Sequence, residues 1–515
     1  MACSIVDLPT TLASAPGKVL VVGGYLVLDR SHSGLVVGTD ACLYSAVQTR
    51  DLDLSAEDRA FGAAEVPVVV NSPQFEGAQW KYAFDTQSST LAQYASADGS
   101  SNRFVQVVLQ TTLALVGSRA PERIQELAGS ASKAPSRRPG LYVVLMADND
   151  FYSQRETLLA RGLTLTSQAL RQIPAMAATG KTLQTVNKTG LGSSAAMVTS
   201  LVAAVLVHFG VVDRAELSAD RESSSSSSAS FKSLRLIHNV AQYAHCLAQG
   251  KVGSGFDVSA AVYGSHVYRR FSPAVLDTAM ADTCSTHELV NATSPMNPAW
   301  DSSIAPVAIP PRLTLRLADV DAGSNTPSMV KKVLQWQKSA PDRAAALWSA
   351  LDAANNRITQ LWADLICAHE NDSAGYDSAI EWCSHRPSSE WKCTSELGSN
   401  PTRKLLAELV EGILRVRVLQ RTLGENAGVP IEPPEQTRLL DACMAVPGVC
   451  MAAVPGAGGY DAIFCVVLSQ EAGAAVERLW SGWTEMSVGP LLANQASRGV
   501  SVLDPAQCPG IQTRL

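Results

Sequence analysis

Residues 188–202 read Lys-Thr-Gly-Leu-Gly-Ser-Ser-Ala-Ala-Met-Val-Thr-Ser-Leu-Val, and this stretch limits what the chain can fold into more than any other. A short polar run ends in Gly190, Gly192, Ser193 and Ser194. A strongly apolar, helical run follows to about His208, with Gly210 placed to stop it. Small residues let the backbone approach a ligand closely. The first free N–H groups of the helix point at that ligand, with the positive end of the helix dipole behind them. The run reads as a phosphate cradle made of Lys188, Gly190, Leu191, Gly192, Ser193, Ser194 and Ala195. The hydroxyls of Ser193 and Ser194 suit a magnesium ion that bridges phosphates. An ordinary N-capped helix would use the same residue types, so the rest of the chain has to decide.

Two more glycine-rich turns run into apolar strands. One is Ser14-Ala-Pro-Gly-Lys-Val-Leu-Val-Val-Gly-Gly-Tyr-Leu-Val-Leu28, in which a Pro-Gly turn places Lys18 at the head of a strand and Gly23-Gly24 breaks the run. The other is Val454-Pro-Gly-Ala-Gly-Gly-Tyr-Asp-Ala-Ile-Phe464. In this order the three stretches resemble the three motifs of the GHMP kinases, and their wording is similar to the fungal and plant phosphomevalonate kinase branch. Mevalonate kinases usually carry Gly-Glu-His where this chain has Gly23-Gly24-Tyr25. Ser324-Asn-Thr-Pro-Ser-Met-Val330 and Ile431-Glu-Pro-Pro-Glu-Gln-Thr437 resemble the same branch.

The resemblance implies an α+β, two-domain GHMP kinase fold, with an N-terminal domain like ribosomal protein S5 domain 2 and a ferredoxin-like C-terminal domain. It implies phosphoryl transfer from ATP, with Mg2+, to 5-phosphomevalonate. By the same resemblance Lys18 neutralises the transferring group or the acceptor phosphate. Asp257, in the glycine-rich lead-in Lys251-Val-Gly-Ser-Gly-Phe-Asp257, is the second catalytic residue. The alternative for Asp257 is a helix cap. An acceptor phosphate has a second pKa of about 6 and is mostly ionised at neutral pH. Asp257 is therefore expected to hold Lys18 by an ion pair or to steer the metal, rather than to act as the main base. Gly456, Ala457, Gly458 and Gly459 are expected to close the acceptor side with backbone N–H groups, and Asp461 to end that turn. Tyr152, Ser153 and Gln154 follow a buried strand and suit hydrogen bonds to the acceptor, and Arg155 a bidentate pair with its phosphate. Ser324 and Thr326 are candidate substrate contacts.

A Rossmann site lacks its glycine spacing in Gly456-Ala-Gly-Gly, and the full Gly-x-x-x-x-Gly-Lys-[Ser/Thr] run of a P-loop is missing. Mevalonate kinase, diphosphomevalonate decarboxylase and a non-catalytic ligand sensor on the same fold remain open.

At 515 residues the chain is long enough for two or more domains. The net charge of −6 shows no basic field for nucleic acid, so positive charge at a phosphate site has to be local. Eleven cysteines without a Cys-x-x-Cys pair point away from zinc and a secreted disulfide framework. No signal pattern is visible, and the apolar run from Leu201 to Val212 is too short to span a bilayer. These features predict a cytoplasmic protein without a membrane or nucleic-acid partner, as a monomer or homodimer.

Strands are expected over Lys18–Leu28, Gly34–Val47, Leu141–Met146, Leu313–Leu317 and Ala462–Leu468. Helices are expected over Phe104–Val116, Glu122–Leu127 and Thr402–Leu423, the last stopped by Gly424, and from the Thr326-Pro327 start. Ser233–Leu247 reads as amphipathic, with Leu236, Val240 and Tyr243 on one face. Residues 51–103 show no readable order. The serine-rich stretch 222–230 is too polar to pack. Weak periodicity from Arg269 to Ala305 suits a domain boundary, which divides the chain into 1–275 and 276–515. The eight histidines show no metal spacing and read as structural.

Overall fold

The structure is a computed structural model, and it describes residues 8–53, 61–130, 137–218, 228–281, 284–320, 326–391 and 400–515. Two sheets carry the fold. The strands in chain order are β1 Thr11–Val22, β2 Ser33–Asp53, β3 Glu65–Asn71, β4 Gln79–Asp85, β5 Thr90–Ser96, β6 Arg137–Ala147, β7 His266–Arg269, β8 Ser303–Pro306, β9 Thr314–Val320, β10 Val449–Ala453, β11 Ala462–Val467, β12 Val488–Pro490, β13 Gln495–Ala496 and β14 Ser501–Leu503. The first sheet runs β14-β1-β2-β6-β3-β4-β5, with β7 and β13 also on β2 and β8 on β7. The β3–β6 pair is parallel, and the other pairs are antiparallel.

The unreadable span 51–103 supplies β3, β4 and β5. The outer strand β5 is largely uncovered and keeps polar side chains, which hides its alternation. The Pro-Gly turn expected before Lys18 is instead a bulge inside β1, where the register with β2 shifts between Pro16 and Lys18. The strand ends at Val22, short of Leu28, and a single 3-10 turn covers Leu26–Leu28.

The Ser193–His208 helix is apolar all round because it is central, packed on β1 and β2. The Ser228–Gln249 helix is more than amphipathic. Every residue from Leu236 to Cys246 is buried, since the Arg103–Arg119, Ser193–His208 and Phe256–Tyr263 helices enclose it. The polar His238, Asn239, Gln242 and His245 inside it are hydrogen-bonded. Of the serine-rich stretch, residues 222–227 lie outside the described residues, and Ser228–Ser230 already open this helix.

Residues on both sides of position 275 belong to the first sheet. The strand β8 pairs with β7, and β13 and β14 return to β2 and β1. The segment between β7 and β8 is packed: Phe271, Leu276, Leu289 and Trp300 form a cluster with Tyr243 and Cys246.

The second sheet has the order β10-β11-β9-β12, all antiparallel. Counted from β9, that order is 2-3-1-4, with helices between the first and second and between the third and fourth strands. This is the ferredoxin-like arrangement. Two long helices, Pro341–Asn371 and Pro401–Ala427, pack together beside it. The second runs through Gly424 to a left-handed cap at Gly428. Gly424 is there for packing: a Cβ would lie 2.6 Å from the Val429 carbonyl oxygen.

One buried ionic cluster braces this domain. Glu432 accepts from Arg417 at 2.8 Å and from Arg421 at 2.6 Å, and Arg417 also reaches Asp441 at 2.8 Å. Removing one partner of a buried pair strands the other charge, at a cost of about 3–5 kcal/mol. Glu432→Leu should therefore lower the urea midpoint of unfolding by that order of free energy. An unchanged midpoint would show that the cluster is not braced by Glu432.

Candidate active site

The three glycine-rich stretches meet around Lys18. Its backbone N–H donates to the Leu191 carbonyl at 3.0 Å, and its Nζ donates to the Gly190 carbonyl at 2.7 Å. The phosphate loop is thus fastened to β1 at both ends of one residue. Gly17 is required there, because a Cβ would lie 2.8 Å from Thr39 Oγ1 and 3.2 Å from the Leu191 oxygen. Gly192, at φ 83°, caps the Ser193–His208 helix in a left-handed conformation that L side chains resist.

The third stretch lies on the other flank. The Gly456 N–H donates to Leu20 O at 3.1 Å, and a Cβ on Gly24 would overlap the Gly456 oxygen. The Tyr25 hydroxyl donates to the Ala457 carbonyl at 2.7 Å. Tyr25 itself sits at φ 64°, a rare conformation for a bulky residue. The N–H groups expected to face a ligand are largely committed. Those of Gly458 and Gly459 donate to Pro455 O and Ile431 O. This loop shapes the site by its close packing more than by offering donors.

Two clefts flank the phosphate loop. The first, of about 270 Å³, is lined by Lys188, Ser193, Ser194 and Tyr152 together with Phe75, Phe104 and Met197. The second, of about 190 Å³, is lined by Lys18, Gly190, Ser254, Phe256, Tyr25 and Asp461, and by Val330 and Gly456–Gly458. The loop is therefore the wall between them.

Burial lowers the pKa of Lys18, and the charges of Asp257 and Asp461 raise it part of the way back. The expected ion pair of Lys18 with Asp257 is replaced by the bond to Gly190, because that carbonyl stands nearer the ammonium; Asp257 acts on it through its field. Asp257 opens the Phe256–Tyr263 helix, with Oδ1 accepting from the Val258 N–H at 3.0 Å. Its Oδ2 lies 3.9 Å from His245 Nε2, which is 3.1 Å from Ser194 Oγ. Burial pushes His245 below its usual 6.5, with Asp257 opposing. Asp461 ends the turn before β11, as expected, and also lines the Lys18 cleft.

Other candidates separate. Tyr152 lines the first cleft together with Ser193. Ser153 and Arg155 turn away to Asp319 of β9, at 2.9 and 3.0 Å. Gln154 is buried and donates to Asn149 O and Tyr152 O. The Asp319 carboxylate and carbonyl and the Ser487 hydroxyl satisfy the guanidinium, so Arg155 joins the two sheets and is not brought to Lys18. Thr326 begins the Thr326–Ser339 helix, and Ser324 lies outside the described residues. Gly180-Lys181-Thr182, the tail of a P-loop pattern, precedes no helix N-terminus, and Lys181 pairs with Glu156 at 2.8 Å. His208, His238 and His266 are buried and held near a pKa of 4 by desolvation, as structural histidines are. His245, Phe104, Tyr25 and Asp461 are the site residues that sequence reasoning missed.

No cluster of three or more His, Cys, Asp or Glu among the described residues suits a metal ion. Magnesium needs less, one or two carboxylates with the rest from phosphate and water. Asp257 and the Ser193 and Ser194 hydroxyls fit that requirement. No helix among the described residues is long and apolar enough to cross a membrane.

A family profile described as GHMP kinases C terminal matches residues 405–482. The Arabidopsis thaliana protein named phosphomevalonate kinase, peroxisomal, is 38% identical over 503 residues, covering 95% of each chain. A phosphomevalonate kinase of Gibberella zeae is 36% identical over 477 residues, covering 90% of this chain and 89% of the relative. The crystal structure of a Lin0012 protein from Listeria innocua is 14% identical with a TM-score of 0.59, covering 96% of this chain and 100% of that one. That of Streptococcus pneumoniae phosphomevalonate kinase with phosphomevalonate and AMPPNP has 14% identity and a TM-score of 0.52, covering 95% and 100%. These two likenesses concern the fold.

The Lys18 environment has a measurable consequence. Burial disfavours the ammonium more than the two carboxylates favour it, so Lys18 should titrate below 10.5 in the free protein. Asp257→Asn removes one favourable charge and should lower it further. NMR of 13C-dimethylated lysines reads both, and a Lys18 titration at or above 10.5 would contradict this geometry.

Proposed function

The chain belongs to the GHMP kinase family, in its phosphomevalonate kinase branch, and we propose that its two clefts hold the donor and the acceptor on opposite sides of the phosphate loop. The enzyme phosphorylates 5-phosphomevalonate with ATP, in the mevalonate pathway. The observation that carries the proposal is the division of one loop between two clefts. Lys188, Ser193 and Ser194 face one, while Gly190 and Lys18 face the other. The first cleft, with Phe75, Phe104 and Met197, suits a nucleotide base and the phosphates at the helix N-terminus. The second takes 5-phosphomevalonate against Lys18.

Both substrates are polyanions. Like unit charges ~4 Å apart repel by roughly 1 kcal/mol in water and about 4 kcal/mol near a protein surface. Catalysis is then mainly positioning and local positive charge. Lys18 supplies charge where the anions meet, held in line by Leu191 and Gly190. Lys188 and the N–H groups opening the Ser193–His208 helix attract the donor phosphates. When bound, Mg2+ would neutralise the phosphates near Ser193, Ser194 and Asp257. Asp257 favours the charged form of Lys18 and faces the same cation, and it receives a proton only from the minor protonated form of the acceptor. Tyr25, Phe256 and Val330 wall the acceptor cleft.

We place the division between domains between Pro306 and Thr314, with β13 and β14 returning to the first domain. This is supported by the sheet to which each strand belongs. The cytoplasmic placement remains part of this reading, beside a plant relative whose name says peroxisomal.

A coupled ADP-release assay tests the site. ADP should form with 5-phosphomevalonate and not with mevalonate. Lys18→Met should lower turnover by ~10²–10³, as the loss of one preorganised charge does. Asp257→Asn should lose activity by a factor that stays constant above about pH 7, where the acceptor is ionised. Recovery of Asp257→Asn with alkali would make Asp257 the general base, and comparable turnover of mevalonate would move the chain to another branch of the family.

A further inference from the structure

Ser194 and Asp257 come from different helices and meet at one imidazole. His245 is 4% exposed, inside the Ser228–Gln249 helix. Its Nε2 is 3.1 Å from Ser194 Oγ, 3.2 Å from Gln249 Nε2 and 3.9 Å from Asp257 Oδ2. The Phe104 ring packs beside it, with centroids 5.6 Å apart. With the Gln249 amide turned so that its NH2 faces the ring, the hydrogen-bond network assigns Nε2 as the acceptor and the ring proton to Nδ1. In that tautomer the Ser194 hydroxyl also donates to Nε2. Its proton then points into the helix layer, and its oxygen lone pairs face the donor cleft, which Ser194 lines.

We propose that His245 is a positioning residue that takes the Ser194 hydroxyl proton and so leaves only acceptor lone pairs toward the donor cleft, ready to ligate the cation carried by the donor phosphates. The inference rests on the reading of Ser194 as a magnesium ligand. A serine free to rotate would aim its proton at the cation for part of the time. The imidazole removes that choice, and Phe104 and Gln249 hold the imidazole. Nothing in this role requires His245 to touch substrate or to change its charge. The lone nitrogen acceptor aimed at a hydroxyl of the phosphate loop is an arrangement that a packing histidine would not need.

Binding of a fluorescent ADP analogue, with and without Mg2+, provides a test that does not depend on turnover. Outer-shell partners of metal ligands are worth about 10–100-fold in metal affinity. His245→Leu should lose a factor of that order in the Mg2+-dependent gain in nucleotide affinity, while affinity without Mg2+ stays unchanged. His245→Gln, which keeps an acceptor, should restore part of the gain. Should His245→Leu not fold, His245→Asn, too short to reach Ser194, takes its place with the same expected loss. Ser194→Ala separates the two layers of the inference. If it leaves the Mg2+ gain intact, Ser194 is not a ligand and the metal assignment fails. If it removes the gain while His245→Leu does not, or if the losses in the double variant multiply, the positioning role of His245 is overturned. Equal loss with and without Mg2+ would make His245 a packing residue.

Discussion

Lys18 is tied to the phosphate loop twice, through its N–H to Leu191 and its ammonium to Gly190, and the two-cleft architecture depends on those bonds. Through them a strand of the first sheet carries the loop that opens the Ser193–His208 helix. On the opposite flank the same strand accepts the Gly456 N–H at Leu20. Side chains would hold these layers apart. Gly24 faces the Gly456 oxygen and Gly458 faces the Ile431 oxygen, each with no room for a Cβ. Ile431 is followed by Glu432, so the buried ionic cluster braces the backbone on which the third loop rests. Interior rigidity in the second domain thus reaches the wall of the acceptor cleft.

A desolvated ammonium between two carboxylates is a poor surface feature but a useful catalytic one. The overall charge of −6 supplies no attraction for anions. Lys18 is half-buried and has lost part of its hydration, so an arriving phosphate has less water to displace. Reorganisation on binding is correspondingly small, which is the advantage of preorganised charge. Asp257 and Asp461 favour the charged form of the ammonium without consuming its hydrogen bond, which goes to a neutral carbonyl.

What the sequence made legible followed from local physics. The phosphate loop could be read because glycines, serines and an apolar helix adjoin within fifteen residues or so. The ferredoxin-like domain and the meeting of the three loops came through the family resemblance, not through periodicity. Contacts distant in sequence were opaque. His245 stands 51 positions from Ser194, inside a helix whose pattern reads as core. Asp461 looked like a turn residue because its neighbours are a turn, and only the fold brings Lys18 to it. Strands β4 and β5 were hidden by polar outward positions. The segment after Arg269 was hidden by short elements whose apolar residues pack on a distant helix.

Arg155 shows most clearly how context overrides residue type. An arginine three residues after a cleft-lining tyrosine is a reasonable anion ligand on chemistry alone. Here Asp319 of β9 accepts from its Nε, and the Asp319 carbonyl and Ser487 accept from its other nitrogens. Its planar fork is therefore used up between domains. Asp150 acts nearby in the same direction, taking the N–H groups of Leu492 and Ala493, and Asp40 takes that of Asn494. These bonds clamp the segment after β12 to the first sheet, beside Tyr152 of the donor cleft. The two domains are consequently joined on the donor side by this polar clasp and on the acceptor side by the glycine contacts of the third loop. Lys18 lies in the seam between the two joins. Its distance from each cleft is set by backbone packing on both sides, and a change in either join would move the charge relative to one substrate before the other.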